Sequence, residues 1–194
     1  MLQPNDPFAR FEDAFARARA AEQSDPTAMT LATVDASGKP SARIVLLKGV
    51  DADGFVFFTN YESRKGVELA HDPRVALCVH WPVLVEQVRV EGSARRIEAA
   101  ESDAYFASRA RESQIGAWAS QQSRPLASRA ELEARVVEVT VRYAGRPVPR
   151  PPFWGGFRVR PERIEFWKGM PSRLHEREVY VREGDGYRVE RLYP

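Results

Sequence analysis

Apolar residues near the start of the chain recur at the spacing of an amphipathic helix. Phe8, Phe11 and Phe15 would fall on one face of such a helix. The Asp6-Pro7 pair suits its first turn, because aspartate accepts from free backbone N–H groups and proline needs no hydrogen bond there. The pattern therefore predicts an N-terminal helix within residues 1–24.

Beyond that helix the apolar residues are grouped in short runs with the composition of β-strands. The loops between many of them are short and rich in turn-forming residues, which favours antiparallel neighbours. The runs are AMTLATV, ARIVLLKGV, GFVFFTN, RVALCVH, VEQVRVEGSARRI, FRVRPERIEFW, HEREVYVRE and YRVERLY. The sequence thus predicts a mainly antiparallel β protein, a barrel with several helices packed on it.

Several other segments favour helices. We expect Val67, Leu69 and Ala70 to face inward from the first of them. Another begins near Ser128, where Glu131 completes a capping box, but the valine and threonine content of its far end also suits a strand. The segments are SRKGVELAHD, AAESDAYFASRA, ESQIGAWAS and ELEARVVEVTVRYA.

The composition is that of an ordinary globular domain. The 194 residues are 43% hydrophobic and 29% charged, and this length suits one domain. A formal net charge of +2 is too small for a general nucleic-acid binder, so any anion binding must come from local clusters. The single cysteine, Cys78, excludes an intrachain disulfide, and no apolar run is long enough to span a bilayer.

Several classes of function find no support in the sequence. The N-terminus lacks the basic-then-apolar order of a signal peptide, so we expect a cytoplasmic location by default. There is no G-x-G-x-x-G motif and no P-loop, which argues against a doubly wound nucleotide-binding fold. The three histidines show no metal-ligand spacing, and no Ser-His-Asp arrangement is evident, so we expect neither a metal site nor an acyl-enzyme mechanism.

Two basic clusters adjoin the strand-like runs. RIVLLK, from Arg43 to Lys48, is an apolar strand with cationic ends. A core strand whose charged ends reach into water would show the same pattern. Arg64 and Lys65 follow a strand at a helix start, where anions are favoured. A solvated helix start is the alternative there.

A third cluster combines two hydroxyl groups with a guanidinium. Tyr105, Arg109 and Ser113 are spaced four residues apart and would share one face of a continuous helix. These groups could hold a phosphate, because arginine binds phosphate oxygens with two parallel hydrogen bonds. Most such trios are merely surface residues, so this pattern alone is weak.

The most specific cluster lies in IEFWKGMPSRLHER, close to the C-terminus. Arg173, His175 and Arg177 alternate and would share one face of a strand, near Trp167 of the preceding strand. An aromatic ring beside three basic groups suits a flat, anionic, heteroaromatic ligand, because arginine can stack and donate hydrogen bonds at once. A basic edge strand that discourages aggregation would show the same pattern.

Taken together, these motifs resemble the pyridoxine (pyridoxamine) 5′-phosphate oxidase family. They occur in the family's order and span roughly residues 25–194, nearly the whole chain. The motifs are RIVLLK, FFTNYESRKG, QVRVEG, SRARESQIGAWASQQS, FWGGFRV, IEFWKGMPSRLHER and the terminal ERLYP.

The resemblance implies a fold and an activity. The fold is a single FMN-binding split-barrel domain, a Greek-key-like six-stranded barrel with peripheral helices, in which residues 150–194 form a dimerisation and active-site segment. The protein would be a homodimer with FMN at the interface, held by both subunits. It would oxidise the C4′ alcohol or amine of pyridoxine 5′-phosphate or pyridoxamine 5′-phosphate to the aldehyde, with O2 as acceptor and H2O2 released.

The resemblance also implies the site residues. Arg64 and Lys65 would bind the FMN phosphate, Arg173 would position the substrate ring and ease proton loss, and His175 would hydrogen-bond the substrate. The implied FMN contacts are Arg43, Ile44, Val45, Leu46, Leu47, Lys48, Phe58, Thr59, Arg64, Lys65, Gln87, Gln122, Ser123, Trp167 and Arg177. The implied substrate contacts are Lys48, Tyr105, Arg109, Ser113, Arg173 and His175, of which Arg173 and His175 are the catalytic pair.

Two departures and two alternatives accompany this resemblance. Phe58 stands where the family often has tyrosine, and the chain starts close to its first helix, where family members commonly have a longer arm that can cover the substrate. A related split-barrel flavin oxidase, as in phenazine biosynthesis, is one alternative. The intact RIVLLK and the substrate-phosphate trio argue against it. A carrier or sensor that binds FMN or pyridoxal phosphate without turnover is the other, and Arg173 and His175 argue against that.

Overall fold

The computed structural model describes residues 6–21 and 24–194, which form a nine-stranded antiparallel sheet and flanking helices. The strands are β1 (Ala28–Val34), β2 (Pro40–Leu46), β3 (Gly49–Asp51), β4 (Gly54–Asn60), β5 (Arg74–Trp81), β6 (Glu86–Arg96), β7 (Trp154–Lys168), β8 (Glu176–Glu183) and β9 (Gly186–Arg191). The helices are α1 (Pro7–Ala21), α2 (Arg64–His71), α3 (Ala99–Ser108), α4 (Arg111–Ala119) and α5 (Arg129–Arg142).

The antiparallel sheet curls into a half-barrel, which agrees with the predicted barrel fold. Its strands follow the order β2-β1-β5-β6-β7-β4-β3, and every pair is antiparallel. Just beyond β2, Lys48 N donates to Val56 O of β4 at 2.8 Å. This bond extends the β3–β4 ladder, and the chain passes from β2 into β3 through Leu47 and Lys48, which joins the first and last strands of this order. Apolar side chains fill the core of the curled sheet.

Helix α1 packs on the barrel through its aromatic face, as the spacing predicted. Phe11 is fully buried and lies edge-on to Phe55, with ring centroids 5.0 Å apart. Asp6 accepts from Phe8 N at 2.9 Å and so satisfies one of the free N–H groups of the first turn.

Strand β7 runs for 15 residues and joins the parts of the sheet. Its first half pairs with β4, its second half pairs with β8, and β6 runs along nearly its whole length. The register shifts between Glu91 and Gly92 of β6, opposite Pro161, which cannot donate to the ladder. A Cβ on Gly92 would lie 2.1 Å from Arg160 O, so the bulge requires glycine here.

The C-terminal basic cluster is not one strand face, and that prediction is wrong. Pro171 opens a short 3-10 turn, and Ser172 and Arg173 both take left-handed backbone angles, with φ of 57° and 61°. Strand β8 begins only at Glu176, so Arg173 lies in the turn and just Arg177 lies in the strand. Left-handed angles are unfavourable for side-chain-bearing residues and occur preferentially at functional sites.

Tyr105, Arg109 and Ser113 do not share one continuous helix, because the region forms two helices, as the separate segments AAESDAYFASRA and ESQIGAWAS predicted. Helix α3 ends at Ser108, and Arg109 has an extended backbone with ψ of 151° before α4 begins. The side-chain amide of Gln114 caps the break by donating to Phe106 O at 2.9 Å. The three side chains nevertheless line the same cavity, because the two helices follow one another around its rim.

Two further expectations about helices can be compared with the structure. In α2, Leu69 is buried as expected, but Val67 is 60% exposed and Ala70 is exposed as well. Polar residues of α2 face inward instead. Helix α5 continues to Arg142, so the valine-rich end left open between helix and strand is helical.

Among the described residues, the longest helices are too short or too polar to cross a membrane.

Candidate active site

A cavity of about 500 Å³ lies between β2, β4 and the α3–α4 helices, and we call it the first cavity. Its wall combines apolar, aromatic, cationic and amide side chains. Many predicted site residues line it: Ile44, Val45, Leu46, Lys48, Phe58, Thr59, Lys65, Tyr105, Arg109, Ser113 and Gln122.

The alternation of β2 supplies one wall of the first cavity. Ile44 and Leu46 point outward and are 62% and 39% exposed, whereas Val45 and Leu47 are buried in the barrel. Scattered exposed apolar residues are normal, but neighbouring ones on one face of a strand can mark a binding surface. This wall therefore offers an apolar surface to a flat ligand or to a partner.

Lys65 places a buried ammonium group in the first cavity. Its Nζ donates to Thr59 Oγ1 at 3.1 Å, Gln122 Oε1 at 3.2 Å and Ser63 Oγ at 3.4 Å, all of which are neutral. Burial, and secondarily the charge of Arg43, hold the pKa of Lys65 below its ordinary value. A buried cation with only neutral partners is a favourable place for an anion.

Arg109 brings a second cation into the first cavity, over an aromatic wall. Its guanidinium carbon lies 4.7 Å from the centroid of the Trp154 ring. Phe58 stacks on Tyr105 at 3.9 Å and on Trp154 at 5.4 Å. Nη1 of Arg109 is buried and finds no hydrogen-bond partner among the described residues, and burial lowers the pKa of this group.

A buried carboxylate organises the cations beside the first cavity. Glu68, whose side chain is 4% exposed, accepts from Arg64 Nε at 2.8 Å and from Arg43 Nη2 at 3.1 Å. Thr33 and Ser41 also donate their hydroxyl groups to it, at 2.5 and 2.7 Å. Although burial opposes ionisation, these donors together lower the pKa of Glu68 to about 2.

This network makes a testable contribution to stability in acid. Because the pKa of Glu68 is depressed in the folded state, its contribution is complete above the usual value of 4.5 and is lost as the pH falls toward 2. We expect the difference in free energy of unfolding between wild type and Glu68→Gln to shrink across this window. Urea unfolding at a series of pH values measures that difference, and a constant difference would contradict the assignment.

A second cavity, of about 580 Å³, lies at the ends of β6, β7 and β9 beside α1. Four predicted residues line it: Gln87, Trp167, His175 and Arg177. The ring of His175 lies 4.7 Å from Trp167, and its Nδ1 accepts from Met170 N at 3.2 Å, which puts the ring proton of a neutral histidine on Nε2. Arg177 donates to Glu165 Oε1 at 2.9 Å, and this pairing raises the pKa of Arg177.

Five predicted residues line neither cavity. Leu47 is buried in the barrel, and Ser123 and Arg173 are exposed. The other two, Arg43 and Arg64, are both tied to Glu68. Most of the predicted set is thus divided on one chain between two cavities and this flanking network, and Leu47, Ser123 and Arg173 lie outside all three.

Sequence reasoning missed several residues that shape the site. Trp154 lies within a quoted motif, but only the fold brings it under Arg109. Glu68 follows Arg64 by four residues, so the spacing of an ion pair on a helix could have indicated it. Glu165 has no such local signal. Within residues 6–21 and 24–194, no group of histidine, cysteine or acidic side chains could hold a metal ion.

Comparison with known proteins gives consistent matches along the chain. Residues 15–143 match the family described as pyridoxamine 5′-phosphate oxidase, and residues 154–194 match the pyridoxine 5′-phosphate oxidase C-terminal dimerisation region. A pyridoxine/pyridoxamine 5′-phosphate oxidase of Anaeromyxobacter dehalogenans is 63% identical over 97% of this chain and 96% of the relative. One from Myxococcus xanthus strain DK1622 is 62% identical over 100% of this chain and 94% of the relative.

Solved structures agree with this relationship. PhzG from Burkholderia lata 383, in complex with tetrahydrophenazine-1-carboxylic acid, has a TM-score of 0.93 and 31% identity, covering 100% of this chain and 95% of that one. A pyridoxamine 5′-phosphate oxidase-related, FMN-binding protein of Nostoc punctiforme has a TM-score of 0.78 at 18% identity over 100% of both chains, which supports the split-barrel fold. From the family matches and the close relatives together, the chain belongs to the pyridoxamine 5′-phosphate oxidase family.

Proposed function

We propose that the chain is an FMN-dependent oxidase that converts pyridoxine 5′-phosphate or pyridoxamine 5′-phosphate to pyridoxal 5′-phosphate, with O2 as acceptor. Relatives about 60% identical over nearly the full chain carry the name of this oxidase. The observation that supports it most is that the first cavity holds two separate cations, Lys65 and Arg109, beside aromatic rings. Two phosphate monoesters of about −1.5 to −2 charge each need two such positions.

The residues around Lys65 suit the phosphate of FMN. Among the described residues, the acceptors of the buried Lys65 ammonium are neutral. Arg64 donates to Glu68 through Nε, which leaves its two terminal nitrogens for an anion. We assign Arg64 and Lys65 to the FMN phosphate, with Thr59, Gln122 and Ser123 beside them. Bound FMN would supply the redox chemistry, in which a hydride leaves C4′ of the substrate and the two electrons pass on to O2, giving H2O2. With the amine substrate this leaves an imine, which water would hydrolyse to pyridoxal 5′-phosphate and ammonia.

Arg109, Tyr105, Ser113 and Lys48 suit the phosphate of the substrate. A guanidinium with an unpartnered buried N–H can form charge-assisted hydrogen bonds to phosphate oxygens without first breaking a bond of its own. The two hydroxyl groups and the Lys48 ammonium line the same cavity and would complete the cradle. Binding at this end fixes the distance of the substrate ring from the flavin.

The remaining predicted residues would be contributed across a dimer. Residues 154–194 match a dimerisation region, and they include Trp167, Arg173, His175 and Arg177. We propose a homodimer in which the second cavity of one protomer completes the first cavity of the other, with FMN at the interface. Arg173 and His175 would then face the pyridine ring, where Nε2–H of His175 can donate and Arg173 can ease loss of the substrate proton.

One assay tests the activity directly. The purified protein should contain bound FMN and should release H2O2 with pyridoxine 5′-phosphate or pyridoxamine 5′-phosphate, and unphosphorylated pyridoxine serves as the matched control. Because PhzG is 31% identical and has nearly the same fold, a reduced phenazine carboxylate is the second substrate to assay. A yellow protein that is inert to both vitamin phosphates would contradict the proposal, and turnover of the phenazine alone would favour that alternative.

A further inference from the structure

Arg109 differs from the other arginines of the candidate site in how it is held. Arg43 and Arg64 pair with Glu68, and Arg177 pairs with Glu165. For Arg109, the structure shows no carboxylate partner among the described residues, and its Nη1 is buried without any hydrogen bond. A carboxylate would fix the guanidinium but would also neutralise its charge and occupy its donors.

Aromatic rings take the place of that carboxylate. The guanidinium carbon lies 4.7 Å from the Trp154 centroid and 5.5 Å from the Phe106 centroid. A ring face attracts a cation through its quadrupole and uses none of its N–H groups. Indole has the strongest such attraction among the aromatic side chains, and Trp154 is the nearer of the two rings.

Trp154 is itself held rigidly by its neighbours. Only 7% of the residue is exposed. Phe106 meets it edge-on at 5.1 Å, and Tyr105 lies nearly parallel to it at 6.2 Å, with an interplanar angle of 7°. The indole therefore contacts the cation and one of the two hydroxyl-bearing residues of the trio at the same time.

We infer that Trp154 is a positioning residue for the substrate phosphate. Its ring orients Arg109 and leaves the N–H donors of that guanidinium free for the anion. This inference rests on the proposed substrate-phosphate site and assigns it a residue that acts through Arg109. It makes the site selective for phosphorylated over unphosphorylated ligands, because a guanidinium that turned toward solvent or a carboxylate would lose that preference.

The test compares two non-oxidisable ligands, 4-deoxypyridoxine 5′-phosphate and 4-deoxypyridoxine, by calorimetry on the flavin-loaded protein. We expect Trp154→Leu to weaken binding of the phosphate ester by roughly tenfold and to leave the unphosphorylated ligand within about twofold. Trp154→Phe keeps a ring with weaker cation attraction, so an intermediate loss of roughly threefold is expected. In an Arg109→Ala background, Trp154→Leu should have no further effect on the phosphate ester.

Trp118→Leu is the matched control, because Trp118 packs against the same apolar cluster and its ring contacts Tyr143 and Phe153 instead of Arg109. Equal loss of both ligands in the Trp154 variants, or unchanged affinity for the phosphate ester, overturns the inference. If Trp154→Leu does not fold, Trp154→Phe decides by the same comparison. A wild-type protein that does not distinguish the two ligands overturns the proposed phosphate site itself.

Discussion

Replacement of Arg109 by alanine is expected to raise the KM for pyridoxine 5′-phosphate by roughly a hundredfold while the flavin stays bound. Each charge-assisted hydrogen bond contributes about 1.5–3 kcal/mol, and the variant loses at least two of them. Two bonds at the lower end of this range total about 3 kcal/mol, and since about 1.4 kcal/mol corresponds to a factor of ten, the expected loss is about two orders of magnitude. Peroxide release at varied substrate concentration measures the KM, and the absorbance of the purified protein measures its flavin content.

The control for this experiment is Arg129→Ala. The side chain of Arg129 is 80% exposed and pairs with Glu133 on the surface of α5, so this substitution should leave both quantities unchanged. Loss of flavin from Arg109→Ala would instead assign Arg109 to the cofactor phosphate. An unchanged KM would remove Arg109 from the substrate site altogether.

Replacement of Gly92 by alanine is expected to lower the free energy of unfolding by about 3 kcal/mol. The added Cβ would lie 2.1 Å from Arg160 O and 3.0 Å from Pro161 Cα, and both are backbone atoms that no side-chain rotation can move away. The bulge between β6 and β7 must therefore open. For a chain of this length that loss corresponds to a fall in Tm of roughly 6–12 °C, which thermal unfolding measures.

Gly49→Ala provides the matched control in the same sheet. Its Cβ would meet only the side chain of Val56, at the ordinary contact distance of 3.7 Å. Since alanine restricts the unfolded chain more than glycine does, this variant should be as stable as wild type or slightly more so. A Gly92→Ala variant of wild-type stability would show that the bulge relaxes freely.

Local patterns predicted the elements of this fold better than the arrangement of the site. The period of α1, the strand-like runs and the Ser128 cap are properties of neighbouring residues, and each appears as expected. The sequence divided AAESDAYFASRA from ESQIGAWAS, but the position of the break after Ser108 depends on Gln114, which caps the carbonyl groups of α3 from the next helix. Spacing alone could not distinguish a broken helix from a continuous one.

The C-terminal basic cluster shows a second limit of pattern reasoning. The alternating spacing predicted that Arg173, His175 and Arg177 lie on one strand face, where their positive charges would repel one another. In the fold, Arg173 lies in a left-handed turn. Arg177 forms an ion pair with Glu165, which lies twelve positions earlier on the neighbouring strand β7. Such a partner is brought in by sheet register, which the local sequence of the cluster does not contain.

The assignment of candidate residues to two cavities was also beyond the sequence. Resemblance gave one list of residues, but the fold distributes most of them between the first cavity, the second cavity and the network around Glu68. Residue types that suit phosphate are recognisable in a sequence. The direction from which each residue reaches a ligand depends instead on the folded barrel and on the proposed partner subunit.

The long strand β7 has a consequence for how the protein is made. Phe157 of β7 pairs with Phe57 of β4, and Ile164 pairs with Val90 of β6, so both neighbours emerge from the ribosome long before their partner does. Until β7 is synthesised, β4 and β6 have unpaired backbone edges and uncovered apolar side chains. Contacts this distant along the chain form slowly. We therefore expect the nascent protein to be most prone to aggregation during translation of the α3 to α5 region.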